Sequence, residues 1–176
     1  MRPMIKMTKR FVGSCTILVL GLAAAPALSA QDENQSNIEG VWFTQVTPVN
    51  CNPPRLPIPN APIFRGLHMF SHDGSLTSEA AFPVPSPLRS SGLGSWQHTQ
   101  GHVYTASFRF FRYQEGGPGL VSFLVMRLVT ITVLLNGNQF TSFDQFQDYD
   151  ADNKPLPPGG PMPTSGCNIQ TATRLQ

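Results

Sequence analysis

The feature that most constrains the fold is a strict alternation of short and long connections between β-prone runs. The short connections are turns at His72-Asp73-Gly74, Thr99-Gln100-Gly101 and Asn136-Gly137, and Asn-Gly is a strong hairpin signal. The long connections are rich in Pro and Gly and cover residues 48–61, 83–93, 114–119 and 149–166. In an up-and-down meander, alternate connections fall at opposite ends. We therefore expect one end closed by tight turns and the other carrying four long loops.

The runs between these connections are rich in β-branched and aromatic residues, and none shows the 3.6-residue period of an amphipathic helix. They predict an all-β fold with one domain over residues 38–176. The eight predicted strands are Ile38–Thr47, Pro62–Ser71, Ser75–Phe82, Gly94–His98, His102–Tyr113, Leu120–Leu135, Gln139–Asp148 and Cys167–Leu175.

The N-terminal segment has the pattern of a cleavable signal peptide. A basic stretch, Met1–Arg10, precedes an apolar stretch, Phe11–Ala27, and small residues follow it. We expect cleavage near residue 30, which leaves residues 31–37 as a flexible tail. An uncleaved membrane anchor is the alternative. The expected product is secreted or periplasmic and is not an integral membrane protein after cleavage.

Charge argues against nucleic acid as a partner. Only 12% of the residues are charged, and four of the twelve basic residues lie in the predicted leader. The remaining chain carries eight basic and ten acidic residues. It therefore has no electrostatic footprint for a phosphate backbone.

The cysteines provide a test of the topology. Cys15 belongs to the predicted leader, which leaves Cys51 and Cys167 to form one disulfide in an oxidising compartment. Cys51 follows the first predicted strand and Cys167 opens the last, so both lie at the loop-rich end. A bond between them requires the first and last strands to be neighbours. This favours an eight-stranded antiparallel up-and-down barrel over an open sandwich.

Three residues carry a family resemblance. Gly40-Val41-Trp42 stands near the start of the first predicted strand and Arg174 near the end of the last. The pattern resembles the calycin superfamily of lipocalin-like barrels, in which a Gly-x-Trp packs against an Arg. The wider motifs of classical lipocalins are missing and no helix is predicted after the last strand, so the chain looks more like a small bacterial lipocalin-like barrel. The resemblance implies a cavity, open at the loop end, for a small, mostly apolar molecule.

Aromatic residues of the fifth predicted strand are the first candidates for the barrel interior. Tyr104, Phe108 and Phe110 share one face, and pairing across the turn before them places Trp96 opposite Tyr104. An eight-stranded barrel either fills with side chains or holds one small ligand. These rings therefore either line a cavity or fill it.

The sixth predicted strand is apolar on both faces, so the sequence pattern does not identify which face points inward. Pairing through Asn136-Gly137 places Arg127 opposite Phe146 and diagonal to Asp144 and Asp148. Arg127 then forms an internal salt bridge, anchors an anionic headgroup, or points outward. The candidate ligand-binding residues are Trp96, Tyr104, Phe108, Phe110, Phe123, Arg127, Asp144 and Phe146.

No catalytic residue, cofactor or metal site is predicted. His98 and His102 flank a turn near His72 but are explained by ordinary turn polarity, and the acidic run 148–152 lacks the Gly and distal Glu of a calcium loop. The leading hypothesis is a carrier of a small apolar molecule. The alternatives are a barrel enzyme of the allene-oxide-cyclase-like type and a solid-cored module that meets a protein partner through its Pro-rich loops.

Overall fold

The computed structural model describes residues 37–81, 88–113, 120–158 and 163–176. The predicted leader, residues 1–30, and the tail up to residue 36 lie outside these ranges. The described structure is all-β, and it includes no helix with the length and hydropathy needed to cross a bilayer. The strands are β1 (Gly40–Val49), β2 (Phe64–Phe70), β3 (Ser75–Ala81), β4 (Leu88–Arg89), β5 (Gly92–Gln100), β6 (Val103–Tyr113), β7 (Leu120–Val133), β8 (Gln139–Tyr149) and β9 (Ser165–Arg174).

Eight of these strands form a closed antiparallel barrel. Each pairs with the next along the chain, and β1 pairs with β9 to close the ring. The ninth, β4, has two residues and pairs with the end of β6, where Arg89 is the partner of Arg112. The predicted all-β barrel is confirmed, and the predicted ends of its eight strands differ from the observed ends by at most two residues.

The closed end of the barrel is filled by a solid core. Trp42, Phe70 and Phe140 are each at most 2% exposed, and their rings meet edge to face at centroid distances of 4.9 and 6.1 Å. Ile38, just before β1, is fully buried and accepts a hydrogen bond of 2.7 Å from Nε1 of Trp42. The chain before the first strand therefore plugs this end.

Arg174 connects backbone segments at the closed end through its side chain. Its guanidinium carbon lies 4.3 Å from the centre of the Trp42 ring. Its N–H groups donate to the backbone carbonyls of Asn37, Glu39 and Gly137. The planar guanidinium satisfies all three while it stacks on the indole.

The predicted disulfide is present at the open end. Cys51 and Cys167 are bonded, with 5.2 Å between their Cα atoms. Cys167 is also the strand partner of Val49. The bond therefore lies beside the pairing of β1 with β9, as barrel closure requires.

The predicted partners of Arg127 are wrong because β7 contains a bulge at Val129. Thr130 pairs with Phe143 as the turn geometry predicts, but Leu128 then pairs with Asp144 and Arg127 with Gln145. A bulge shifts the pairing by one residue and exchanges the faces of the strand beyond it. Arg127 is consequently exposed on the outer face, and it cannot lie diagonal to Asp144 and Asp148 on the inner one.

The predicted pairing of Trp96 with Tyr104 is also wrong. An irregularity between His98 and Gln100 places Tyr104 opposite His98 and Trp96 opposite Ala106. The shift covers two residues, so the inward face is unchanged. The Trp96 and Tyr104 rings still lie 5.8 Å apart.

We predict that Arg174→Lys destabilises the protein by about 1 to 3 kcal/mol, because an ammonium group cannot stack on Trp42 and bond three separated carbonyls together. The measurement is the free energy of unfolding in urea. Arg127→Lys, on the exposed face of β7, is the control and should change it by less than about 0.5 kcal/mol. Equal effects of the two substitutions would contradict this role of Arg174.

Candidate ligand-binding site

The half of the barrel above the aromatic core holds a cavity of about 680 Å³. Side chains from the long loops reach its mouth, including Ile58, Ala61 and Pro163, so it opens at the loop-rich end. Its volume falls within the range of about 300 to 1,000 Å³ that is typical of small-molecule sites. The described residues that line it are Thr44, Val46, Pro48, Ile58, Ala61, Pro62, Phe64, Gly66, His68, Ser78, Glu79, Ala80, Arg89, Phe108, Phe110, Arg112, Leu124, Met126, Phe146, Pro163, Ser165, Gly166, Cys167, Asn168 and Gln170.

One side of the cavity is an apolar wall built by β6, β7 and β8. It consists of Phe108, Phe110, Leu124, Met126 and Phe146. Phe146 stands opposite Gly166 in the sheet. A Cβ atom at position 166 would lie 2.8 Å from the Phe146 ring carbons, so glycine is needed there for the ring to hold its place.

Opposite this wall, a polar band crosses five neighbouring strands, and four of its six members, Thr44, His68, Ser78 and Gln170, line the cavity. Each member is at most 5% exposed. The band consists of Ser78 on β3, His68 on β2, Thr44 on β1, Gln170 on β9, and Ser142 and Asp144 on β8.

Hydrogen bonds connect most of this polar band into a chain. Nε2 of His68 lies 2.9 Å from Oε1 of Gln170, and Nε2 of Gln170 donates to Oδ2 of Asp144 over 2.5 Å. The hydroxyl of Ser142 donates to the other oxygen of Asp144 over 2.7 Å. With the Gln170 amide in this orientation, its carbonyl accepts the proton of His68 Nε2. Thr44 Oγ1, also buried, has no hydrogen-bond partner among the described residues.

Burial shifts the pKa values of the two titratable groups in this hydrogen-bonded chain, His68 and Asp144, in opposite directions. It lowers the pKa of His68 from 6.5 to about 4. It raises the pKa of Asp144 from 3.8 to about 7, although the hydrogen bonds from Ser142 and Gln170 oppose the shift. At neutral pH, His68 is therefore uncharged and Asp144 is close to its midpoint.

Two arginines stand above the polar band, near the mouth. Arg112 on β6 donates to Asp148 on β8 over 2.7 Å, and these side chains are 13% and 2% exposed. Arg89 on β4 donates to the backbone carbonyl of Ser78 over 2.9 Å, and its guanidinium carbon lies 4.1 Å from the centre of the Phe110 ring. Both arginines line the cavity.

The structure brings together some of the candidate residues and separates others. Phe108, Phe110 and Phe146 line the cavity. Trp96 and Tyr104 pack in the core cluster.

The remaining three candidates do not line the cavity. Asp144 is fully buried and meets it through Gln170. Arg127 is exposed, and Phe123 stacks on Tyr149 with a centroid distance of 5.4 Å. The positions of Phe123 and Arg127 follow from the bulge in β7, which turns both residues away from the interior.

The polar residues of the cavity that the sequence analysis missed include His68, Arg89, Arg112 and Gln170. Arg112 continues the alternation of Tyr104, Phe108 and Phe110, so that pattern alone could have placed it inside. Arg89 lies within a long predicted connection, where no periodic signal reports its direction.

Among the turn residues considered above, His72, His98 and Asp150 have local partners, whereas the buried Nδ1 of His102 has none among the described residues. His72 bonds Glu39 over 3.0 Å, and His98 bonds the carbonyl of Gly101 over 2.8 Å. Asp150 accepts hydrogen bonds from the amides of Asp152 and Lys154 and so closes its own turn. Within the described ranges, no three His, Cys, Asp or Glu residues are grouped as metal ligands.

Comparisons with protein-family models, curated proteins and solved structures found no match to this chain.

We predict that Asp144→Asn and His68→Gln change the pH dependence of stability in opposite directions. Between pH 3.8 and 7, folded Asp144 holds a proton that the unfolded chain has lost, so its contribution falls as the pH rises. Between pH 6.5 and 4, the unfolded histidine gains a proton that folded His68 lacks, so its contribution falls as the pH falls. Each effect is on the order of 3 kcal/mol.

The measurement is the free energy of unfolding at pH 4.5 and pH 7, each compared with the unsubstituted protein. Asp144→Asn should increase the stability at pH 7 relative to pH 4.5, and His68→Gln should decrease it. A change of the same sign in both variants would show that the two groups do not titrate in this way.

Proposed function

We propose that the barrel binds and carries a small, mostly apolar molecule in its upper half. The observation that supports this most directly is the cavity of about 680 Å³ with an apolar wall, open at the loop-rich end. Natural interiors are otherwise packed to high density, with few voids larger than a water molecule. The other half of this barrel is well packed. A cavity of this size beside it therefore indicates a ligand-binding site.

The lining favours a ligand with a large apolar part. Burial of apolar surface contributes about 25 cal/mol per Å². The apolar wall offers five large side chains to such a ligand, and the polar band lies across from it. This is the usual composition of small-molecule sites, in which few polar groups orient a ligand among many apolar contacts.

The resemblance to lipocalin-like barrels agrees with this proposal. The contact of Arg174 with Trp42 has the form that the resemblance implies, and calycins carry small apolar molecules in such barrels. The Cys51–Cys167 bond is typical of proteins from oxidising compartments. We therefore propose a secreted or periplasmic carrier.

An enzyme with the same architecture is the second candidate. The observation that favours it is the buried chain from His68 through Gln170 to Asp144 beside the cavity, because buried groups with shifted pKa values are common in active sites. In such an enzyme the cavity would hold a reactive substrate in one conformation. Conversion of a bound molecule, detected by mass spectrometry, would favour this candidate over the carrier.

The carrier function predicts saturable binding of a neutral apolar probe, N-phenyl-1-naphthylamine, whose fluorescence rises in apolar surroundings. Ala80→Trp should weaken this binding by about tenfold or more, since the indole would occupy the cavity that Ala80 lines. The measurement is a fluorescence titration with each protein.

Ala81→Trp is the matched control, because Ala81 is the next residue of β3 and is exposed. It should bind the probe as the unsubstituted protein does. Thermal unfolding verifies that each variant is folded. Absence of saturable binding to the unsubstituted protein, or equal losses in the two variants, would overturn the proposal.

A further inference from the structure

We propose that the ligand carries one negative charge, in a carboxylate group that Arg89 binds near the mouth of the cavity. This inference rests on the proposed carrier function and names the class of its ligand. The apolar part of the molecule would then extend along the wall formed by Phe108, Phe110, Leu124 and Met126.

The first observation is that two arginines stand directly opposite each other on paired strands. Arg89 of β4 is the partner of Arg112 of β6. Like charges in such positions destabilise a sheet. Both arginines nevertheless line the cavity, where Arg89 covers the Phe110 ring and Arg112 bonds Asp148. An unfavourable pair of this kind is expected where binding an anion offsets its cost.

The second observation is the balance of charge around the pair. Arg112 is neutralised by Asp148, but within the described residues no carboxylate lies within 4 Å of the Arg89 guanidinium. Glu79 also lines the cavity and raises the pKa of Arg89 through its charge, but its side chain is exposed, where water screens it. Arg89 is thus the cation near the mouth that no carboxylate of the described residues contacts, which matches a monoanion.

The third observation is that Arg89 has a hydrogen-bond donor without a partner among the described residues. A guanidinium group carries five N–H donors. One nitrogen of Arg89 donates to the carbonyl of Ser78, and Nε, which is buried, has no partner among the described residues. A carboxylate accepts two parallel hydrogen bonds from such a group. The stacking on Phe110 holds the guanidinium plane in position for this contact.

The test compares two probes with the same alkyl chain, dodecanoate and dodecanol, as competitors of N-phenyl-1-naphthylamine at pH 8. The unsubstituted protein should bind dodecanoate about tenfold or more tightly than dodecanol, because only the acid pairs with Arg89. Arg89→Met should reduce this ratio to about twofold or less, mainly by weakening the binding of dodecanoate, since methionine keeps an apolar contact with Phe110 but offers no donor to the carboxylate.

Arg109→Met is the matched control. Arg109 belongs to β6 but is exposed on the outer face, near Phe123. This variant should keep the full preference for the acid. If Arg89→Met does not fold, Arg89→Lys replaces it, and a smaller but retained preference is then expected because lysine keeps the charge but not the paired donors.

Four outcomes would overturn the inference and leave the proposed function standing. They are equal affinity for dodecanoate and dodecanol, an unchanged ratio in Arg89→Met, binding of the dye but of neither competitor, and tighter binding of the dianion dodecyl phosphate than of dodecanoate. Failure of the unsubstituted protein to bind the dye would instead overturn the proposed function itself.

Discussion

The pairing of β1 with β9 is the contact on which the rest of the structure depends. It joins the first and last strands, so a curved sheet becomes a barrel and eight inward faces meet around one axis. At each end of this strand pair, a further contact holds β1 and β9 together. At the closed end, Arg174 stacks on its strand partner Trp42. At the open end, Cys51 and Cys167 are bonded beside the last strand pair.

Residue size divides the interior into a solid half and an open half. Large rings fill the closed end, where Trp42, Phe70 and Phe140 pack edge to face. Toward the loops, the inward positions of β2, β3 and β9 include Gly66, Ala80 and Gly166. The small residues on these three strands leave space opposite the large side chains of β6, β7 and β8, and within the described interior this space lies at the loop-rich end.

The polar groups of the cavity lie at two heights, and they differ in charge. The band of His68, Thr44 and Gln170 lies next to the aromatic core, and His68 is uncharged at neutral pH because burial lowers its pKa. Arg89 and Arg112 lie nearer the mouth, where Asp148 pairs with Arg112 and no carboxylate of the described residues contacts Arg89. A ligand with a polar group at one end and an apolar chain would meet different chemistry at each depth, which favours a single orientation.

The candidate site was only partly predictable from the sequence. Alternation along β6 correctly placed Phe108 and Phe110 inside, because side chains of a regular strand alternate between faces. On β7 both faces are apolar, so the pattern contained no information about the inward face. The bulge at Val129 decided it, and it turned Arg127 outward. Arg89 entered the site through a two-residue strand that no pattern indicates.

The sequence by itself determined the strands, the tight turns, the disulfide partners and the closure of the sheet. These depend on local preferences, such as Asn-Gly at a hairpin, and on counting which strand ends share a side of the barrel. The tertiary structure alone decided that the barrel is half empty and which charges face the empty half. Both depend on bulges and on packing between strands distant in sequence, where a shift of one residue exchanges inside for outside.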